Sequence, residues 1–270
     1  MTVINTNVKS LIAQQALTVN SRNLSKAMEQ LSTGKRINSA ADDAAGLAIS
    51  DKMTAQIRGL NQAVRNANDG ISMIQTAEGA TVEVANMLQR MRELAVQSAN
   101  GTNTDDDKTA LNDEFGELQN EIKQISANTQ WNGMNISNSA ATSVTFQVGA
   151  NSGQLVTVSF KDIAGMSGMS AVDSGISAGS SNAIGKVTEA IKAIDGFRSD
   201  MGAKINRLTY AADNLTNIST NTAASRSRIL DADYAQSTTE LARSQIIQQA
   251  ATAMLAQANQ APQSVLTLLR

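Results

Sequence analysis

The chain has 270 residues, a formal net charge of −2, one proline (Pro262), seven aromatic residues, and neither cysteine nor histidine. The balanced charge offers no basic field for nucleic acid or anionic membrane. The missing residue types exclude a disulfide framework and a thiol nucleophile, and they remove the commonest general base and transition-metal ligand.

So few aromatics suit long helices packed side by side better than a compact globular core. The first helix is predicted from about Asn7 to Thr33, stopping at Gly34, which suits a left-handed C-terminal cap. Leu17, Leu24 and Leu31 recur along it every seven residues. A polar connector then leads to Asp42 and Asp43, which suit the positive N-terminal turn of a second helix. That helix is the longest. Met53, Ile57, Leu60, Val64, Ala67, Ile71 and Ile74 keep a 4-3 spacing, and Ala80, Val84, Met87, Met91 and Leu94 resume it after a register shift expected near Gly79. Running from Asp43 to Ala99, it would reach roughly 85 Å at about 1.5 Å per residue, too long for one globular core to cover.

A turn at 100–103 precedes a third helix opened by Thr104 and Asp105–Asp107, with Leu111, Phe115, Leu118, Ile122 and Ile125 as its stripe. The three aspartates fit a helix N-terminus better than calcium, which takes six or more oxygens from a shaped loop. Past Trp131, read as a core anchor, the apolar period becomes two. Val144, Phe146 and Val148 alternate, then Val156, Val158 and Phe160, with Gly149 and Gly153 in the loop between, so a β-hairpin is expected at about 144–160. The Ser-, Gly- and Ala-rich stretch 164–182 reads as a flexible, exposed connector whose hydroxyls offer acceptors for O-linked sugar. A fourth helical pattern runs through Ile184, Val187, Ile191, Ile194, Met201, Ile205, Leu208 and Leu215. Arg198 interrupts it, either snorkelling to the edge or pairing with Asp195 or Glu189.

The last stretch, Ser244 to Leu269, holds 26 residues without a charged side chain, and Met1 to Ser21 carries only Lys9. Gln245, Gln248, Gln249, Gln257 and Gln260 rule out a membrane span. Ile247, Ala251, Met254, Ala258, Ala261, Val265 and Leu268 instead form a coiled-coil seam, the counterpart of Leu17, Leu24 and Leu31. Each end alone would be a marginal helix, so pairing of the two is expected, followed by packing into something larger. The order of elements is nearly a palindrome about the hairpin. The expected fold is therefore mainly α, a long antiparallel helical bundle or coiled-coil rod with a small β-hairpin tip and its N- and C-terminal helices paired. The opening residues have no basic n-region before an apolar core, so no cleavable signal peptide is expected.

Longer runs carry a family resemblance. They include Gln30-Leu31-Ser32-Thr33-Gly34-Lys35-Arg36-Ile37-Asn38-Ser39-Ala40, Arg65-Asn66-Ala67-Asn68-Asp69-Gly70-Ile71-Ser72 and Leu88-Gln89-Arg90-Met91-Arg92-Glu93-Leu94-Ala95. Ser227-Arg228-Ile229-Leu230-Asp231-Ala232-Asp233-Tyr234-Ala235 and the final Leu255–Arg270 continue it. On these residues the chain resembles a bacterial flagellin, in a short form without the large variable outer domains. Gln236 is a departure, standing where the family often has Glu.

The resemblance implies an inner polymerisation domain of 1–42 with 231–270 and a helical domain of 43–230 that includes the hairpin. It implies a hollow homopolymeric filament outside the cell, built from subunits exported unfolded by the flagellar type III apparatus. An export chaperone, a filament cap and hook-junction proteins are the implied partners. Such a filament would be lined by the Gln- and Asn-rich, charge-free ends. The resemblance also implies that Leu88, Gln89, Arg90, Leu94 and Glu114 form a subunit contact that a host Toll-like receptor recognises, and that the hairpin around Gly149 and Gly153 takes part in a conformational switch. No catalytic residue, cofactor or metal is expected; an enzyme lacks both residues and room here. A hook–filament junction protein of the same assembly is the rival reading, although such proteins match only at the ends. A generic coiled-coil rod would not predict the hairpin.

Overall fold

The computed structural model describes residues 6–138, 143–166, 169 and 180–268, with side chains described through residue 260. Among these residues there are five helices: α1 Val8–Thr33, α2 Ala44–Ser98, α3 Asp105–Asn128, α4 Ser180–Leu230 and α5 Tyr234–Leu268. Two antiparallel hairpins lie between α3 and α4, β1 Gln130–Trp131 with β2 Met134–Asn135, and β3 Ser143–Gln147 with β4 Leu155–Ser159. The chain forms two compact units, residues 1–55 with 221–270, and residues 56–220. Both α2 and α4 contribute to each unit.

In the 56–220 unit, α2 buries Leu60, Ala63, Ala67, Gly70, Ile74, Ala77, Thr81, Val84, Leu88, Met91, Ala95 and Ser98. Their spacing alternates 3 and 4 without a break, so the register shift expected near Gly79 does not occur. Small and polar residues disguise the seam in the sequence, while Val64, Ile71 and Met87 flank it half-buried. Thr81 can be buried there because its hydroxyl donates to the Glu78 carbonyl at 2.7 Å. Helix α4 answers with Val187, Ala190, Ile194, Phe197, Met201, Leu208, Ala212 and Leu215. Phe197 takes the seam position beside Arg198, and the half-buried Arg198 keeps a buried Nε without a hydrogen-bond partner. The two helices run antiparallel: Ser219 donates to Asn61 Oδ1 at 2.9 Å, and a Cβ built on Gly70 would lie 3.3 Å from Leu208.

Helix α3 begins with a capping box. Asp107 N–H donates to Thr104 Oγ1 at 3.3 Å, and Thr104 N–H donates back to Asp107 Oδ2 at 2.9 Å. The Thr104 hydroxyl, donating to Asp107 Oδ2 at 2.7 Å, and then the Thr104 N–H hold the Asp107 carboxyl below its ordinary range. Phe115, Gln119, Ile122 and Ser126 are its buried face. Asn132 and Gly133, at φ 47° and 78°, then form a two-residue turn between β1 and β2, and Trp131 packs half-buried against the core. The second hairpin pairs Ser143 with Ser159 through Gln147 with Leu155 and buries Val156, Val158 and Phe160. It lies along α2. Asn66 Nδ2 donates to the Gln147 carbonyl at 3.1 Å, and a Cβ on Gly59 would sit 3.1 Å from that of Ala150. Most of the connector expected at 164–182 lies outside the described residues. Met166 and Met169, however, are buried in the core, which corrects the exposed reading there: flexible thioether side chains fill gaps in such a core.

In the other unit, Asn7 caps α1 by accepting from Ser10 N–H at 3.2 Å, and Gly34 ends the helix at φ 68°. Asp43 caps α2 through Gly46 N–H at 2.9 Å, and Asp233 caps α5 through Ala235 N–H at 2.9 Å. The connector after α1 is bonded to the α4–α5 corner. Arg36 N–H donates to Leu230 O at 2.7 Å, its guanidinium reaches Ile229 O at 2.7 Å, and Ala232 N–H donates to Gly34 O at 3.0 Å.

Candidate assembly surfaces

Helices α1 and α5 pack antiparallel, and their cross-bonds hold one register. Asn7 Nδ2 donates to Ala258 O at 2.9 Å and Asn20 Nδ2 to Ser244 O at 2.8 Å, and just beyond the two helices the backbones of Lys35 and Asp231 form an antiparallel β-bridge. The α1 face toward α5 is Ala13, Leu17, Asn20, Leu24, Ala27 and Leu31, all buried or half-buried at alternating 4-3 spacing. The three expected leucines therefore lie on this face. On α5 the covered positions are Ser237, Leu241, Ser244, Ala251, Leu255 and Ala258. Ala251 and Ala258 belong to the predicted seam, but Ile247 and Met254 do not join it: they are 45% and 65% exposed. The correction has a simple cause. Two 4-3 stripes on α5 share Ser244, Ala251 and Ala258 and differ by Leu241 and Leu255 against Ile247 and Met254, so apolar content alone does not separate them. Val265 and Leu268, with Ala261, have side chains outside the described set.

The pair leaves large apolar groups uncovered. Val8, Leu11, Ile12, Val19 and Met28 are exposed on α1, as are Ile246, Ile247 and Met254 on α5. In a two-helix pair with this seam, Ile12, Val19, Ile247 and Met254 fall on one side at matching levels. The charge environment at the base of the pair is simple. Lys26 Nζ lies 2.8 Å from Asp42 Oδ1, while Asp42 Oδ2 accepts from Asn38 and Ser39 N–H. The Lys26 bond and then these backbone donors hold the Asp42 carboxyl far below its usual range.

In the 56–220 unit, Arg90 joins two elements. Its Nε and Nη2 meet Glu114 Oε1 on α3 at 2.9 and 2.8 Å, and its Nη1 meets Glu93 Oε2 at 3.1 Å. Glu114 and then Glu93 raise its already high pKa. Gln89, Arg90 and Glu114 are exposed, whereas Leu88 and Leu94 are fully buried in the core. The expectation that all five present one surface is thus corrected: on α2, positions 88 and 94 fall on the seam and positions 89 and 90 on the solvent side. Gln89, Glu93, Val96 and Gln97 also line a shallow groove with Arg92 and Ile191.

The hairpin glycines differ from one another. Gly153 has φ 87°, which an L side chain adopts only under strain, and Gly149 is buried against the Gln154 side chain. Gln147 Nε2 ties the loop by donating to the Gly149 and Asn151 carbonyls at 2.9 and 2.6 Å. Among the described residues, no helix is long and apolar enough to cross a membrane, and no group of three or more acidic, His or Cys side chains could hold a metal.

Known proteins account for this arrangement. Residues 4–142 match the bacterial flagellin N-terminal helical region and residues 184–269 the C-terminal helical region. A flagellin of Halalkalibacterium halodurans is 49% identical over 275 residues, covering 99% of this chain and 100% of that protein. The flagellar filament 33 kDa core protein of Treponema phagedenis is 41% identical over 285 residues, covering 99% and 100%. The crystal structure of Bacillus cereus flagellin superposes with a TM-score of 0.52 at 32% identity, covering 60% of this chain and 94% of that one. With matched regions at both ends and relatives aligned along its whole length, the chain belongs to the bacterial flagellin family.

Proposed function

We propose that the paired α1 and α5 helices are the polymerising element of this chain. As a flagellin it is a structural subunit of the flagellar filament, not an enzyme, and it polymerises with copies of itself into that extracellular appendage. The observation that carries the proposal is the apolar surface left open on the pair, above all Ile12, Val19, Ile247 and Met254. An isolated helix pair that exposes such groups gains stability when a second copy covers them. Leu17, Leu24, Leu31, Ala251 and Ala258 hold the pair together. The inner domain is then the terminal pair, 1–42 with 231–270, and the helical domain is 43–230.

Further assignments rest on the family resemblance. The subunit is exported unfolded by the type III apparatus and meets a chaperone, the hook-junction proteins and the filament cap on its way. Gln89, Arg90 and Glu114 form a subunit contact that a host Toll-like receptor also recognises, and the β3–β4 hairpin with Gly149 and Gly153 is part of the filament's conformational switch.

Electron microscopy of purified protein tests the central point. Chains lacking residues 1–30 or 240–270, and the variants Leu24→Glu and Met254→Glu, should stay monomeric under conditions where the parent forms long filaments. Normal filaments from either truncation would overturn the proposal.

A further inference from the structure

We propose that Asn100 is a site of spontaneous covalent modification, losing its side-chain amide to become aspartate and isoaspartate, while the fold holds back the other Asn-Gly step, Asn132-Gly133.

The reaction needs only water. The backbone nitrogen of the following residue gives up its proton and attacks the asparagine Cγ. A new C–N bond forms, the Cγ–Nδ2 bond breaks, ammonia leaves and a five-membered succinimide remains. Water then opens that ring at either carbonyl, giving an ordinary aspartyl link or an isoaspartyl link that runs through the side chain. One water is consumed and one ammonia released, with no oxidation or reduction. Glycine is the most permissive following residue, because no Cβ crowds the attacking nitrogen.

Four steps in the chain place Asp or Asn before Gly: Asp69-Gly70, Asn100-Gly101, Asn132-Gly133 and Asp195-Gly196. An aspartate closes the same ring by losing water. Both aspartyl steps lie inside α2 and α4, where the glycine N–H is tied to the carbonyl four residues back. Asn132 sits at φ 47° in a two-residue turn, closed by the pairs Trp131–Met134 and Gln130–Asn135. The turn fixes its ψ together with its φ, so the Gly133 nitrogen is not free to swing over Cγ.

Asn100 lacks each of these restraints. It follows the end of α2 at Ser98 and precedes the start of α3 at Asp105, outside any helix or strand. Asn100 and Gly101 are both exposed, and among the described residues neither the Asn100 carboxamide nor the Gly101 N–H makes a hydrogen bond. A Cβ built on Gly101 would meet nothing within 4 Å, so its surroundings are open. Asn100 N–H donates to Gln97 O at 3.1 Å and Asn103 N–H to Asn100 O at 3.3 Å. Those bonds involve only the Asn100 backbone and leave its side chain free to reach the next nitrogen.

The product disturbs this corner. It places a carboxylate just past the C-terminus of α2, whose last turn has no basic residue, and just ahead of Asp105, Asp106 and Asp107. Negative charge at a helix C-terminus opposes the helix dipole. The isoaspartyl form also lengthens the main chain of the turn by one carbon. The α2–α3 corner therefore loosens as the subunit ages.

The full-length protein is incubated in mildly alkaline buffer, both folded and in urea. Tryptic peptides are followed by mass spectrometry with isoaspartate resolved from aspartate. In the folded protein Asn100 should convert about tenfold faster than Asn132, the scale on which local structure protects a backbone amide. In urea the two rates should converge, because the Asn-Gly sequence is then all that acts. Isoaspartate should accompany aspartate at position 100, which marks the succinimide route against direct hydrolysis. Gly101→Ala, whose added methyl group meets no neighbour, should slow conversion at Asn100 several-fold and leave Asn132 unchanged. Equal rates at the two sites in the folded protein, a ratio that persists in urea, or aspartate without isoaspartate would overturn the inference. Asn100→Asp should lower the melting temperature by about 2 °C. An unchanged melting temperature would overturn the loosening of the corner and leave the reaction itself standing.

Discussion

At the scale of single residues, burial decides what each side chain of a shared motif can do. Leu94 and Arg90 stand four apart on α2, yet one is fully buried and the other half exposed in an ion pair with Glu114. Leu94→Ala should therefore cost about 3 kcal/mol by leaving a cavity. Arg90→Ala should cost less than about 1 kcal/mol, because solvent and salt screen an exposed pair. Chemical denaturation of the two variants measures this contrast, and equal losses would contradict the placement of Leu94. Asp42 carries a different dependence. Its carboxyl is stabilised in the charged form by Lys26 and by two backbone donors, so its folded pKa lies below the unfolded value of about 3.9. Such a group contributes fully above the unfolded pKa and loses its contribution as pH falls toward the folded one. Asp42→Asn should lower the melting temperature at pH 7, and the gap from the parent should narrow steadily below about pH 4. A gap that widens in acid would reverse the sign and remove the Lys26 pairing as its cause.

At the scale of elements, the β3–β4 hairpin joins a firm body to a constrained loop. Val156 and Val158 anchor it in the core while Gln147 and Gln154 tie the loop, with Asn151 N–H donating to Gln154 Oε1 at 3.0 Å. Gly153→Ala should destabilise the unit by about 1–2 kcal/mol, the cost of left-handed backbone for an L residue. Gly149→Ala acts differently, because the new methyl group must displace Gln154 and with it the bond to Asn151. Thermal unfolding reads the first effect. If the hairpin is part of the switch, both variants should also shift filament waveform in micrographs, and wild-type waveform in both would remove it from the switch. The smaller β1–β2 hairpin is written in the sequence as Asn132-Gly133, since Asn-Gly supplies the positive φ at both turn positions that a two-residue hairpin needs.

At the scale of the whole molecule, the chain divides its labour between two compact units. The 56–220 unit holds the large core built from α2, α3, α4 and both hairpins. The unit with the chain ends relies on a seam of alanines, leucines and serines and leaves its largest apolar groups open. A chain trimmed to residues 43–230 should therefore keep a cooperative thermal transition and most of its helical signal while forming no filaments. Circular dichroism and sedimentation test both halves of that statement. Loss of cooperative unfolding would mean that the core depends on the terminal pair.

The existence of the helices, their caps and the main hairpin followed from sequence alone, because they depend on local chemistry. Asp43, Thr104, Asp107 and Gly34 act within one turn of themselves, and period-two alternation in 144–160 needs no distant partner to be read. The α1 seam was legible for the same reason, since Leu17, Leu24 and Leu31 are three large apolar residues in succession at seven-residue spacing. Tertiary structure alone decided the rest. On α2 the seam runs through Gly70 and Thr81, small or polar residues that become core only when another helix lies over them. On α5 two stripes overlap, and only the folded pair shows that Leu241 and Leu255 turn inward while Ile247 and Met254 stay exposed. Hydrophobic patterning ranks faces by area removed from water, and two faces of comparable apolar content on α5 can be told apart only when α1 lies against one of them.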